Sequence, residues 1–244
     1  MTKTDCIYCI SDLHLSYERP DVFEAFRSFL KTNANSARQL FILGDFFNLW
    51  IGDDDPAAFP WQVSKELSLL ADSGTDIFIM HGNRDFLLGK EFCRLSQAVL
   101  IPEPYTLNCF NQQYLLMHGD SLCTRDESYM AFRNMVRNPD WQQAFLAKSI
   151  AERQTFAAQA RQQSKDLSSN KAADIMDVTP TEVTKVLAEN RQSILIHGHT
   201  HRPAIHELDL YGEHGKRIVL GDWDSSGWAL KITPDGYILE EFAI

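Results

Sequence analysis

The chain has 244 residues, 44% hydrophobic and 23% charged, with a formal net charge of -10 at pH 7. That balance excludes a disordered or fibrous protein, and the acidity argues against a general electrostatic grip on nucleic acid. One core can serve this length, so residues 1–244 read as a single catalytic domain carrying an insertion.

The N-terminal stretch runs straight into an acidic motif without an apolar h-region, and no apolar run reaches the ~20 residues that span a bilayer. Neither an export signal nor a membrane span is expected. Apolar runs at 6–10, 40–43, 77–80, 114–117 and 194–196 read as buried strands. Each is followed within a residue or two by polar chemistry: SDLH, GDFFN, HGNRD, HGD and HGHTH. Loops at the carboxyl ends of strands are where ligands collect in α/β sheets, so the five form one composite site. Helix-compatible stretches at 22–31 and 61–71 give an early strand, helix, strand rhythm. Later the pattern turns to hairpins, 105–110 with 114–117 and 228–232 with 237–242, the second around Pro-Asp-Gly. The predicted class is therefore α/β (α+β), two mixed sheets packed face to face with outer helices.

Residues 128–170 lack strand alternation and are dense in Ala, Gln, Arg, Lys and Leu, which predicts a helical insertion. Between Arg125 and Asp174 eight Lys or Arg stand against six Asp or Glu, a local excess of positive charge in an acidic chain. The cysteines are odd in number and read as reduced thiols of a cytosolic protein.

Asp12 and His14 are two apart, so extended backbone would aim both at one face. Asp45 and Asn83 each follow a glycine that lets the chain turn close to an ion. His118, His199 and His201 complete seven donors. Imidazoles with carboxylates suit Mn, Fe, Co or Zn better than Mg or Ca. Seven donors exceed one catalytic ion; with Asp45 shared they divide into Asp12, His14, Asp45, His201 and Asp45, Asn83, His118, His199. Two ions ~3.5–4 Å apart suit phosphoryl transfer to water. His81 and His197 are read as structural, Asp85 as the orienting partner of His118, His206 and His214 as solvated, and Asp53-Asp54-Asp55 as a turn.

The motif order DxH, GDxxN, GNRD, HGD, GHTH resembles the calcineurin-like metallophosphoesterases. Asn48 stands where an acid is common, and Arg84 where the superfamily normally has a histidine. With 42–56, 81–90, 117–126, 175–178 and 196–208, these departures make nearly the whole chain similar to the pyrophosphatases acting on UDP-2,3-diacylglucosamine in lipid A synthesis. The resemblance implies a four-layer αββα sandwich with a helical cap and two Mn²⁺ ions. It also implies a cytoplasmic enzyme peripheral on the inner membrane, with the lipid as substrate and no obligate protein partner. The implied reaction is water attack on the α-phosphorus, giving UMP and 2,3-diacylglucosamine 1-phosphate, with Asp45 and Arg84 catalytic. A guanidinium suits a phosphate leaving group, which needs charge stabilisation more than a proton. Implied substrate contacts are Asn83, Arg84, Asp126, Ser164, Ser168, Lys171 and His199, with Ser168 standing where relatives often carry asparagine. In the cap, Phe132, Met135, Val136, Trp141, Phe145, Leu146 and Ile150 are implied to line an acyl-chain chamber. The alternative activity is a broader phosphodiesterase or nucleotidase of the same superfamily.

Overall fold

In the computed structural model, residues 3–168 and 175–244 are described, the side chains of 164–168 excepted. Four short strands, β1 (Ile7–Ile10), β2 (Gln39–Leu43), β3 (Asp76–Met80) and β4 (Ala98–Ile101), pair in parallel. The second group is β5 (Tyr105–Cys109), β6 (Gln112–Leu116), β7 (Ile194–His197), β8 (Ala204–Leu210) and β9 (Glu213–Val219). It forms a mixed sheet in the order β5-β6-β7-β9-β8. The hairpin β10 (Ser226–Thr233) and β11 (Gly236–Ala243) adds antiparallel to β1, completing a six-stranded sheet.

Side-chain alternation along these strands creates the layers. Tyr8, Ile10, Leu40 and Ile42 share one cluster with Phe26, Phe29, Val63, Leu67 and Phe92. Those partners belong to the helices α1 (Pro20–Thr32), α2 (Ala58–Asp72) and α3 (Lys90–Ser96). Ile7, Cys9, Phe41 and Leu43 point the other way, against Leu116, Ile196 and Ile218 of the second sheet. Leu115 and Leu195 face outward onto Val183 and Leu187 of a helix, Pro180–Glu189, that covers the far side. The result is helix, sheet, sheet, helix. Cys6 and Cys9 have the spacing of a CxxC pair, yet alternation sends them to opposite faces of the sheet. They form neither a thiol pair nor a metal clip.

Between β6 and β7 lie three further helices, α4 (Glu127–Val136), α5 (Pro139–Leu146) and α6 (Ile150–Ser168). The helix at Pro180–Glu189 is accordingly α7. Asp126 caps α4 by accepting from Tyr129 N, and Asn138 caps α5 by accepting from the amides of Asp140 and Trp141. The apolar residues expected to form one chamber divide. Trp141 stacks on Phe145 at 4.8 Å, and with Phe156 they join the main core, while Met135 and Leu146 are exposed. No helix among the described residues is long and apolar enough to cross a membrane.

Candidate metal centre

The five motif loops leave the carboxyl ends of β1, β2, β3, β6 and β7 together. Their backbone is not extended there. Asp12, His14, Asp45, His199 and His201 all have left-handed φ, between 47° and 66°, a conformation that costs a non-glycine residue roughly 1–2 kcal/mol. The expectation that extended backbone aims Asp12 and His14 at one face is therefore wrong. Left-handed turns aim them, and neighbouring loops hold those turns. Asp12 N donates to Gly44 O, His14 N to Asp45 O, His199 N to Asp12 Oδ2, and Arg84 N to Asp45 Oδ1. Gly44 lies so close to Gly82 that a Cβ there would stand 2.6 Å from both Gly82 Cα and His118 Nδ1. A Cβ on Gly82 would overlap Asp45.

The seven predicted donors converge. His14 Nε2 lies 3.2 Å from His201 Nε2, and His201 Nε2 3.4 Å from Asp12 Oδ1. His118 Nε2 lies 3.7 Å from Asp45 Oδ1, and Asn83 Oδ1 stands 3.0 Å from His118 Nε2 and 2.9 Å from His199 Nδ1. Asp12, His14 and His201 form one cluster able to hold an ion; Asp12, Asp45 and His118 form another. Asp12 Oδ1 and His14 Nδ1 are buried without a hydrogen-bond partner. Buried polar atoms are rarely left so, and a cation fits the donor set.

Electrostatics give the same result. Burial, reinforced by Arg84 for His14 and by His118 for His199, lowers these two imidazoles to about 3 and about 4, leaving them neutral. Burial alone would also lower His118 and His201. The surrounding carboxylates outweigh it: Asp45 and Asp12 push His118 up to about 9, and Asp12 with Asp222 pushes His201 up to about 10. Asp45, buried beside Asp85 and Asp12, rises to about 7. The protein alone thus gathers protons to balance its carboxylates, the charge that divalent cations would supply.

The residues around the donors depart from expectation at Asp85. Its carboxylate accepts from the amides of Gly82, Phe46 and Phe47, which knits two loops together, and His118 Nδ1 instead meets Leu43 O at 2.9 Å. Asp222 orients His201 Nδ1 at 3.2 Å. Glu103 Oε1 accepts from the amides of His118 and Gly119. Neither acid belongs to a strand-end motif, so neither stood out in the sequence. Asp53 is more than a turn residue, because it accepts from Gly89, Glu91 and Phe92 at the start of α3. His81 bonds Leu88 O and His197 bonds Gly198 O, both structural contacts; His206 is half-buried and His214 exposed on the β8–β9 hairpin.

Arg84 sits at the mouth with Nε 3.5 Å from Asp45 Oδ2 and Nη1 2.8 Å from Asn48 Oδ1. The same Asn48 oxygen accepts from Arg161 of α6 at 3.0 Å. Arg161 carries no motif and was not anticipated. The neutral amide of Asn48 orients two guanidiniums without cancelling their charge. Asp126 Oδ1 accepts from Tyr129 N and Ser128 Oγ at the base of α4. Ser164 and Ser168 lie on α6 with side chains outside the description, and Lys171 lies outside the described residues.

The calcineurin-like phosphoesterase family profile matches residues 7–203. A Pseudomonas aeruginosa protein named UDP-2,3-diacylglucosamine hydrolase is 51% identical over 228 residues, 93% of this chain and 95% of its own. A Cellvibrio japonicus protein of the same name is 49% identical over 235 residues, 96% and 98% of the two chains. The fold is shared with an archaeal phosphodiesterase at 13% identity, TM-score 0.51, covering 98% of this chain and 99% of that one. The chain is a metal-dependent hydrolase belonging to the calcineurin-like phosphoesterase family, in the branch whose curated members are named UDP-2,3-diacylglucosamine hydrolase.

Proposed function

We propose that the protein hydrolyses the pyrophosphate bond of UDP-2,3-diacylglucosamine to UMP and 2,3-diacylglucosamine 1-phosphate by water attack on the α-phosphorus, as a step of lipid A synthesis. The observation that carries this reading is Arg84, an always-charged fork held on Asn48 at the mouth of a seven-donor centre in which Asp12, Asp45 and His118 are buried. A leaving phosphate needs positive charge more than a proton. Two Mn²⁺ ions, one held by Asp12, His14, Asp45 and His201 and the other by Asp45, Asn83, His118 and His199, would supply Lewis-acid charge and lower the pKa of water. The chain's own contribution is orientation. The left-handed turns aim the donors, Asp45 stands between the two sets, and Arg84 with Arg161 faces the phosphates.

The cap receives the lipid end in this account. Asn83, Arg84, Asp126, Ser164, Ser168, Lys171 and His199 are proposed to contact the substrate. Exposed Met135 and Leu146 on the cap, with Leu49 and Tyr17 on the motif loops, support docking on the cytoplasmic face of the inner membrane. Hydrolysis in ¹⁸O-water tests the proposal. Label is expected in UMP; label in the sugar phosphate would overturn attack at the α-phosphorus, and absence of both products would overturn the substrate.

A further inference from the structure

The cap helix α4 faces the metal centre with a run of polar groups that substrate contacts do not require. Arg133 Nε donates to Asp120 Oδ2 at 2.9 Å, and its Nη2 reaches Glu103 Oε2 at 3.2 Å. Glu103 spends its other oxygen on the amides of His118 and Gly119, at 2.8 and 3.1 Å. Tyr129 OH donates to Asp120 Oδ2 at 2.5 Å, and its ring lies 5.9 Å from that of His199. One turn further, Arg137 Nη2 donates to Gly82 O at 2.9 Å, the residue before Asn83. Asp120 is fully buried and the side chains of Glu103 and Arg133 are 12% and 19% exposed, so solvent screens this network weakly.

All three connections go to one half of the centre. His118 is reached through Glu103, Asn83 through Gly82, and His199 through Tyr129. The bonds that Tyr129, Arg133 and Arg137 make go to Asp120, Glu103 and Gly82, and not to Asp12, His14 or His201. Arg153, the fully buried cap arginine, binds Ile51 O and Asp54, on the loop after β2 but six and nine residues beyond Asp45, and bonds none of the seven donors.

We propose that Arg133 and Arg137 are positioning residues for the metal position formed by Asn83, His118 and His199, so that the cap sets the affinity of that position and not of the other. Arg133 is the counter-charge that keeps Glu103 and Asp120 together. Without it two buried carboxylates repel, and the amides of His118 and Gly119 lose their fixed acceptor. Partners of this kind, one shell out from the ligands, change metal affinity 10–100-fold.

The proposal rests on the two-ion reading, and one titration separates the two ideas. Metal-stripped wild type, R133M, R137M and R153M are titrated with Mn²⁺ alone, free ion being followed by its electron paramagnetic resonance signal. R133M and R137M are expected to bind one ion at least 10-fold more weakly and the other within twofold of wild type, with R153M unchanged. Two ions bound normally by both α4 variants would overturn the proposal and leave the two-ion reading intact, whereas uptake of one ion by wild type would overturn both. Equal weakening by R153M would also overturn it, by showing that cap docking in general is responsible. Arg137 lies at the end of α4, so R137M keeps the test decisive if R133M fails to fold.

Discussion

Single residues carry the chemistry here through backbone strain and charge. Five of the seven converging donor residues occupy left-handed φ, a cost kept because neighbouring loops lock each turn. The donor types were legible in the sequence, their conformation was not, since only tertiary hydrogen bonds force an Asp or His into that region. Arg84 should behave as a charge stabiliser: R84A is expected to lower kcat by about 10²–10³, with R84K recovering little because a lysine cannot fork. Steady-state rates check this, and full rescue by lysine would contradict it. His118 and His201 sit near 9 and 10 and Asp45 near 7 without metal. Ligation needs these groups deprotonated, so loading at pH 7 must release protons and affinity must fall as pH falls. Calorimetry in buffers of different ionisation enthalpy should show that release; a buffer-independent heat would contradict it.

At the scale of elements, the loop after β2 organises the centre and the cap at once. Its Asp45 belongs to a cluster able to hold an ion, Asn48 holds Arg84 and Arg161, Asp53 starts α3, and Asp54 receives both outer nitrogens of Arg153. Arg153 is 1% exposed. A Cβ on Gly52 would collide with its guanidinium, so that glycine shapes the socket. The Asp54 side chain is more than half exposed, so D54A is expected to cost only about 1 kcal/mol. The midpoint of urea unfolding measures this, and an unchanged midpoint would remove the latch from the account. Strands and early helices were readable because each buries a periodic apolar face, and residues 127–168 read as helical from their density of helix formers. The supporting acids were not. Glu103 and Asp222 look like surface acids in a one-dimensional reading, Asp120 stood in the HGD motif without an assigned role, and Asp85 was given the wrong partner because its amide donors come from two loops distant in the chain. Nor did periodicity single out α3 and β4, a seven-residue helix and a strand exposed at its middle positions.

Across the whole molecule, parallel β1, β2 and β3 and the adjoining second sheet send five loops to one edge, and that topology alone unites donors from residue 12 to residue 201. The gross architecture followed from alternation and motif order; the path of the cap over the site did not, because its docking depends on Arg133, Arg137, Arg153 and Arg161, which resemble surface residues in the sequence. Metal should contribute to global stability as well as chemistry. At 100-fold excess over Kd each ion adds about 2.7 kcal/mol, or roughly 5–10 °C in a chain of this size. EDTA-treated protein should melt lower by that much per ion, and an unchanged Tm would mean that the donors fold without holding metal.

The most direct test is UMP release from UDP-2,3-diacylglucosamine by purified protein, assayed after metal stripping, after Mn²⁺ is returned, and in D45A. Release that disappears on stripping, returns with Mn²⁺ and stays absent in D45A is the predicted result. Release that persists without metal, or in D45A, would contradict the account.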